Sequence, residues 1–475
     1  MRFLSGLFAV ALTGAAFASA LWSGAPLEAA EPDRRPNFVV IFCDDLGYGD
    51  LGCFGHPTIA TPELDRMASE GTKLTQFYAA ASVCSPSRAG LLTGRLPQRS
   101  GMWGNRRVLF PDSVGGLPAE EWTIAEKLKE VGYATGCVGK WHLGHLPEYL
   151  PAEHGFDSYF GIPYSNDMDR VGGSGKHVVR EPYFEAFNVP LLESRGSAVA
   201  TVVEQPTDQR SITRRYTEKG IEFIREHRDE PFFLYLAHSM PHVPLFRSKP
   251  FEGRSRAGIY GDVIEEIDWS VGQILGELRD QGLDQKTMVV FTSDNGPWLI
   301  YDEQGGSAGL LRDGKGSTWE GGMREPTLVW WPGTIPSGVA SPALSSTLDL
   351  LPTFCSLASV APPSDRPIDG YDLSETLIAG KPSPRETFFY YRGDQLMAVR
   401  HGDYKAHLIT RDAYGPGSRR PERHDPPLLY HLGVDPGEKR DVAKEHPEVL
   451  AEIAEILAEH RAAMVIAESQ FDRKK

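Results

Sequence analysis

The sequence is short of cysteine, short of basic charge and, beyond its N-terminal segment, without a long apolar run, and each shortage excludes something. Five cysteines in 475 residues (Cys43, Cys53, Cys84, Cys137 and Cys355) leave at least one thiol unpaired. Their spacing matches neither a disulfide framework nor a zinc site. Forty-nine Lys and Arg against 64 Asp and Glu give a formal net charge of −15, which argues against nucleic acid as a partner, because phosphate backbones are bound by surplus cations. An acidic surface that keeps an exported chain soluble explains the same imbalance. No Asn-x-Ser/Thr sequon occurs, which suits a bacterial periplasm better than a glycosylating pathway.

What is present begins with MRFLSGLFAVALTGAAFASA, in which Arg2 precedes an apolar run that ends small-x-small at Ala18, Ser19 and Ala20. This reads as a signal peptide over 1–20, cleaved near Ala20, with a linker over 21–36. An uncleaved N-terminal helix is the other reading of the segment. The expectation is a secreted or periplasmic protein with no membrane span in its mature form. The length calls for a large catalytic domain, placed at 37–383, and a smaller C-terminal subdomain at 384–475.

The run Asn37 to Cys43 (NFVVIFC) is β-branched and apolar on both faces, as a central strand of a covered parallel sheet must be. Ala134 to Val138, Phe232 to Leu236, Met288 to Thr292 and Thr327 to Trp331 read as further strands. Helical patterns separate them: Thr123 to Val131, Ser211 to His227, Tyr260 to Gln281 and Thr347 to Ser356. In Tyr260 to Gln281 an apolar stripe of Ile267, Val271, Ile274 and Leu278 predicts one packed face and a solvated acidic one. The alternation predicts an α/β fold with a large mixed, mostly parallel sheet sandwiched by helices. Past Pro384 the texture changes to a small antiparallel sheet and a last helix from Pro447 to about Met464.

Two acidic pairs stand directly after strands: Asp44 with Asp45, and Asp294 with Asn295. In open α/β sheets, sites form beyond the carboxyl ends of strands. If the two strands are neighbours, three carboxylates and an amide oxygen converge, which only a hard cation such as Ca²⁺ or Mg²⁺ makes tolerable. Each pair taken alone is also an ordinary helix cap or turn.

The segment Cys84-Ser85-Pro86-Ser87-Arg88, followed by Thr93-Gly94-Arg95, resembles the signature of the sulfatase family in the alkaline phosphatase superfamily. In that signature the cysteine is oxidised to formylglycine by a separate generating enzyme. DDLGYGDLGC (44–53), GKWHLG (139–144), GIPYSND (161–167), HVP (242–244), SDNG (293–296), GKGSTWEGGMREP (314–326) and PPLLYHLGVDPGE (426–438) extend the resemblance in family order, nearest to the arylsulfatase A type. It implies an alkaline phosphatase-like fold and a sulfuric ester hydrolase acting on aryl or carbohydrate sulfates. Calcium is the metal it implies, with Mg²⁺ as the alternative, held by Asp44, Asp45, Asp294, Asn295 and the modified Cys84. It further implies catalytic roles for Cys84, Arg88, Lys140, His142, His242 and Lys315, and sulfate binding by Lys140, Ser165, His242 and Lys315.

In the mechanism so implied, one hydroxyl of the hydrated aldehyde attacks sulfur and the leaving oxygen is stabilised by Lys315 or His242. The second hydroxyl, deprotonated by His142, then expels sulfate. Cations gathered around an anionic ester are what such chemistry needs. The segment from about Asp169 to Gln209 departs from the family pattern, as does the low cysteine count, and both bear on substrate and assembly. Two competing readings are a phosphonate monoester or phosphodiester hydrolase of the same superfamily and a sulfated-glycan binding protein whose Cys84 stays a thiol.

Overall fold

The computed structural model describes residues 35–171, 184–196, 199–415, 418 and 420–474. The expected signal peptide with its cleavage point, and most of the linker, lie outside them. In chain order the strands of the large sheet are β1 (Asn37–Cys43), β2 (Thr72–Tyr78), β3 (Ala134–Gly139), β4 (Ser158–Gly161), β5 (Leu191–Arg195) and β6 (Thr201–Glu204). They continue with β7 (Phe232–Ala237), β8 (Thr287–Ser293), β9 (Arg324–Trp330), β10 (Val339–Ser341) and β11 (Ser345–Ser346). Across the sheet the order is β10-β2-β9-β8-β1-β7-β3-β4-β5-β6, with β11 also paired to β2.

The centre is parallel: β1 pairs with β8 on one side and β7 on the other, and β7 pairs with β3. Strand β9 runs antiparallel to both β8 and β2, so the stretch expected at Thr327 to Trp331 makes the sheet mixed. Alternation along β1 splits the core into two layers. Val39 and Ile41 face a cluster with Leu64, Tyr216, Ile267 and Ile274, whereas Phe38, Val40 and Phe42 face one with Leu91, Ile124, Leu351 and Phe354. Both faces are therefore covered by helices, which is why the strand is apolar throughout.

The helix Gly258–Asp280 places its stripe of Ile267, Val271, Ile274 and Leu278 in the core as expected. Its acidic face does not go to solvent. Asp262, Glu266 and Asp268 are buried because other segments donate to them: Gly253 and Ser255 backbone N–H to Asp262, Ser248 N–H to Glu266, and Leu64 N–H to Asp268 at 2.8 Å in each case. Glu277 takes a two-pronged bond from Arg225. These carboxylates tie down loops and cap the helix Pro62–Glu70, so their burial is offset by hydrogen bonds.

The C-terminal sheet is antiparallel, ordered β12 (Thr387–Arg392), β13 (Gln395–His401), β14 (Tyr404–Thr410), β15 (Glu422–His431). The final helix, Pro447–Ala463, lays Ile453 and Leu457 against Val399, Ala406 and Leu429. A buried ionic cluster joins this sheet to the segment 314–326. Lys405 donates to Glu320 at 3.0 Å and pairs with Glu438 at 3.0 Å, Tyr78 donates to Glu320 at 2.6 Å, and the Glu320 backbone N–H donates to Glu438 at 2.7 Å. Burial pushes the Glu320 carboxyl up, but Lys405, Arg324 and Arg400 outweigh it and hold the group at about 2.

Candidate active site

The carboxyl ends of β1 and β8 are adjacent, with Cys43 opposite Ser293, so the residues that follow each strand meet. The Asp294 N–H donates to the Cys43 carbonyl at 3.1 Å, the Asp45 N–H to Asp294 Oδ1 at 3.2 Å, and Asn295 Nδ2 to Asp45 Oδ1 at 2.8 Å. Asp44, Asp45, Asp294 and Asn295 are all buried. Asp45 sits at φ 68°, a left-handed conformation that non-glycine residues adopt mainly where surrounding structure enforces it.

Cys84 is the first residue of the helix Cys84–Thr93, every residue of which is buried. Its Sγ lies 3.3 Å from Asp44 Oδ1 and 3.6 Å from Lys315 Nζ. One turn on, Arg88 points back into the same pocket, as i and i+4 positions share a helix face. It donates through Nε and Nη2 to Asp294 Oδ2 at 3.1 and 2.8 Å and through Nη1 to the Lys140 carbonyl at 2.9 Å.

Lys140 leaves β3 after Gly139, whose φ is 116° and whose missing Cβ would fall 1.8 Å from the Ala237 carbonyl oxygen. No larger residue fits there, and the close approach sends the Lys140 ammonium to Asp44 and, at 3.1 Å, to Ser165 Oγ. Lys315 donates to Asp45 Oδ2 at 2.8 Å. Its backbone N–H is held by the Pro297 carbonyl at 2.9 Å and that of Gly316 by the Ser82 carbonyl at 2.8 Å, which joins the 314–326 segment to both motifs.

The two histidines are oriented by backbone carbonyls. His142 Nε2 donates to the Leu109 carbonyl at 2.9 Å, leaving buried Nδ1 without a partner. His242 Nδ1 donates to the Val243 carbonyl at 2.6 Å, and its Nε2 lies 3.6 Å from Asp45 Oδ2. Burial lowers both imidazole pKa values well below the usual range, with Lys140 adding to the effect at His142 and Lys315 at His242.

Burial and the neighbouring Asp44 raise Asp294 to about 7, while burial raises Asp45 to about 6 against the pull of Lys315. Asp44 goes the other way: burial would raise it, but Lys140, His242 and Arg88 hold it well below the carboxylate range. Burial and Asp44 push the Cys84 thiol well up, so the unmodified residue stays protonated. Burial is the main cause of the raised carboxyls, since Arg88, Lys140 and Lys315 match the three carboxylates in number.

The donor set fits a divalent cation. Ligand atoms of Asp44, Asp45, Cys84 and His242 lie within 4.8 Å of one another, and Asn295 Oδ1 is a buried acceptor with no hydrogen-bond partner. Carboxylate and amide oxygens are the donors that hard cations take.

All of the residues singled out in the sequence are thus gathered in or beside one pocket. Sequence reasoning missed two neighbours. Trp298, two residues past Gly296, holds Lys315 Nζ 4.3 Å from its ring centroid and lies against the His242 ring at 5.4 Å. Glu325 is buried with neither carboxylate oxygen partnered, and burial together with Asp294 and Asp45 holds it as a neutral acid. Trp298 is marked in the sequence only by standing beside SDNG, and Glu325 only by lying within GGMREP.

A mostly parallel sheet that brings a nucleophile precursor, three carboxylates and three cations to its carboxyl edge defines an ester hydrolase for anionic substrates. The sulfatase family model matches residues 36–360, and that of the C-terminal region of aryl-sulfatase matches 383–475. N-acetylgalactosamine-6-sulfatase of Canis lupus familiaris is 41% identical over 95% of this chain and 90% of its own length. Human arylsulfatase A is 43% identical over 93% and 91%. Among solved structures, the PsFucS1 sulfatase from Pseudoalteromonas sp. superposes with a TM-score of 0.84 at 29% identity, covering 94% of this chain and 92% of that one. The chain belongs to the sulfatase family, has its alkaline phosphatase-like fold, and hydrolyses sulfate esters. That family works with a formylglycine and a metal ion. Among the described residues no helix is long and apolar enough to cross a membrane.

Proposed function

We propose that this chain cleaves aryl or carbohydrate sulfate monoesters through a formylglycine formed at position 84, with Ca²⁺ held by Asp44, Asp45, Asp294, Asn295 and the modified residue. The observation that carries this reading is the position of Cys84, buried at a helix start within reach of both a carboxylate and the Lys315 ammonium. A thiol kept protonated there is a poor nucleophile, which favours chemistry on its oxidised form. Relatives named for a sugar 6-sulfatase and for an arylsulfatase support both ester classes.

The bound cation and the hydrated aldehyde supply the activated oxygen nucleophile and charge neutralisation when present. The chain's own residues do the rest. Lys140 and Ser165 hold sulfate oxygens, and Arg88 keeps Asp294 and the backbone at Lys140 in place. Lys315, kept charged against its burial by Asp45 with Asp44 and Asp294, stabilises the leaving oxygen with His242. The free Nδ1 of His142 takes the proton in the step that releases sulfate. His242 is left to the substrate because hard cations prefer oxygen to imidazole. The calcium assignment rests on these all-oxygen donors and on the family resemblance, with Mg²⁺ the competitor.

The catalytic unit on this reading is 37–383, with 384–475 as the subdomain that holds Lys315 in place. Export by a signal peptide cleaved near Ala20, a secreted or periplasmic destination, and a formylglycine-generating enzyme as maturation partner complete the proposal, with no role for nucleic acid. Peptide mass spectrometry on protein coexpressed with that enzyme tests it directly. An aldehyde at position 84, together with aryl sulfate turnover that a chelator abolishes and Ca²⁺ restores, is the expected result. Turnover by protein whose position 84 remains wholly a thiol would overturn it.

A further inference from the structure

Three arginines, Arg107, Arg392 and Arg411, line one groove, and none of them has an acidic partner among the described residues. Arg107 and Arg392 lay their guanidinium groups against Tyr414, with centroid distances of 4.1 and 4.3 Å. Arg411 lines the same groove, together with Trp298 and Ile300. Among the described residues none of the three forms an ion pair with Asp or Glu. Several other exposed arginines do, among them Arg66 with Glu63, Arg195 with Glu222 and Arg440 with Glu445. Arg392 gives Nη1 to the Asp412 carbonyl at 2.9 Å. Burial lowers its pKa, Tyr414 opposes that, and Arg411 and Arg107 deepen it. On a chain of net charge −15, uncompensated like charges at one place are a cost that a bound anion would remove.

The groove is continuous with the chemistry. Tyr414 packs on Gly316, where a Cβ would come 2.0 Å from the ring, and Gly316 follows Lys315. Trp298, whose ring carries the Lys315 ammonium, forms part of the groove wall. Its Nε1 is a buried donor with no partner. A second hollow, lined by Val83, Pro86, Arg107, Arg392 and Tyr414, adjoins the start of the Cys84 helix. The groove has a volume of about 380 Å³, and Trp298 is the wall it shares with the Lys315 contact.

We infer that the groove of Arg107, Arg392, Arg411 and Tyr414 binds a second anionic substituent, a carboxylate or a further sulfate, on the organic part of the ester. The chain therefore selects polyanionic glycans over simple aryl sulfates. Planar guanidinium groups match carboxylate and sulfate oxygens two at a time. This rests on the sulfatase reading of the pocket.

The test compares formylglycine-bearing wild type with the double variant Arg107→Gln/Arg411→Gln, whose changes fall on exposed side chains. Substrates are an aryl sulfate, a disaccharide disulfate, and a monosulfated disaccharide with its uronate either free or methyl-esterified. Loss of a charge-assisted contact predicts that the variant loses about ten- to hundred-fold in kcat/KM on the dianionic sugars, mainly through KM, with the aryl sulfate within about twofold. The free uronate and second-sulfate arms show which anion the groove takes. A loss equal on all substrates, or no loss, overturns the inference. If wild type turns over none of these esters, the sulfatase reading is what fails. Calorimetric titration of the disaccharide disulfate into Cys84→Ala then reads the groove by itself. Binding about tenfold weaker when Arg107→Gln/Arg411→Gln is added supports it, and unchanged binding refutes it.

Discussion

Replacing Arg88 with Met or with Lys separates charge from geometry in the pocket. The side chain is fully buried. It makes two bonds to Asp294 Oδ2 and one to the Lys140 carbonyl, and its Nη2 stands 3.7 Å from Asp44 Oδ1. Arg88→Met leaves a buried carboxylate without its counter-ion, which costs about 3–5 kcal/mol in stability. Arg88→Lys keeps the charge but replaces a rigid fork by a single ammonium, so it gives up at least one charge-assisted bond, worth about 1.5–3 kcal/mol. Differential scanning calorimetry in chelator should rank wild type above Lys above Met, and added Ca²⁺ should narrow the gap between wild type and Met by supplying positive charge. Both variants should lose kcat on an aryl sulfate, because Asp294 and Lys140 are no longer fixed. An Arg88→Met protein as stable as wild type in chelator would refute the view that this guanidinium balances the carboxylate cluster.

Cys84→Ser should stall after at most one turnover, since serine has no second hydroxyl with which to expel the sulfate; multiple turnover at the wild-type rate would sink the proposed route. Gly139→Ala has no room at the Ala237 carbonyl and should lower kcat about tenfold or more through displaced Lys140, with the circular dichroism of a folded protein retained. His154 is buried with neither ring nitrogen partnered, and burial lowers its pKa to about 4. Its folded value lies below the unfolded one near 6.5, so its contribution is complete above about 6.5 and is lost as pH falls toward 4, by up to about 3 kcal/mol. His154→Phe should therefore flatten the acid limb of a Tm-against-pH curve in that window, and an unchanged limb would count against the assignment.

The sequence made the pocket visible because its members stand at strand ends or in dense short motifs. Asp44 and Asp294 meet only if the strands at Asn37 to Cys43 and Met288 to Thr292 are neighbours, a condition that the sequence leaves open and that the pairing of β1 with β8 meets. The acidic face of Gly258–Asp280 looks solvated in the sequence because its partners, such as the Leu64 and Ser248 backbone amides, lie far off in sequence or in loops with no pattern of their own. Strand Thr72–Tyr78 (TKLTQFY), between β9 and the short β10 and β11, alternates too weakly to stand out, with only part of its length buried. The arginine groove draws Arg107, Arg392, Arg411 and Tyr414 from opposite ends of the chain, and no local signal joins them.

The depth of Cys84 fixes an order of events in the life of the molecule. The residue is 2% exposed, begins a helix with no accessible side, and is covered by Lys315, whose segment is anchored by Glu320 and Glu438 to strands near the end of the chain. A catalyst that must grasp the sequence around Cys84 in an extended form finds no such form after folding. On the proposed route, oxidation of the thiol comes first, while the chain is still open, and a molecule that folds before that step closes over an unmodified thiol.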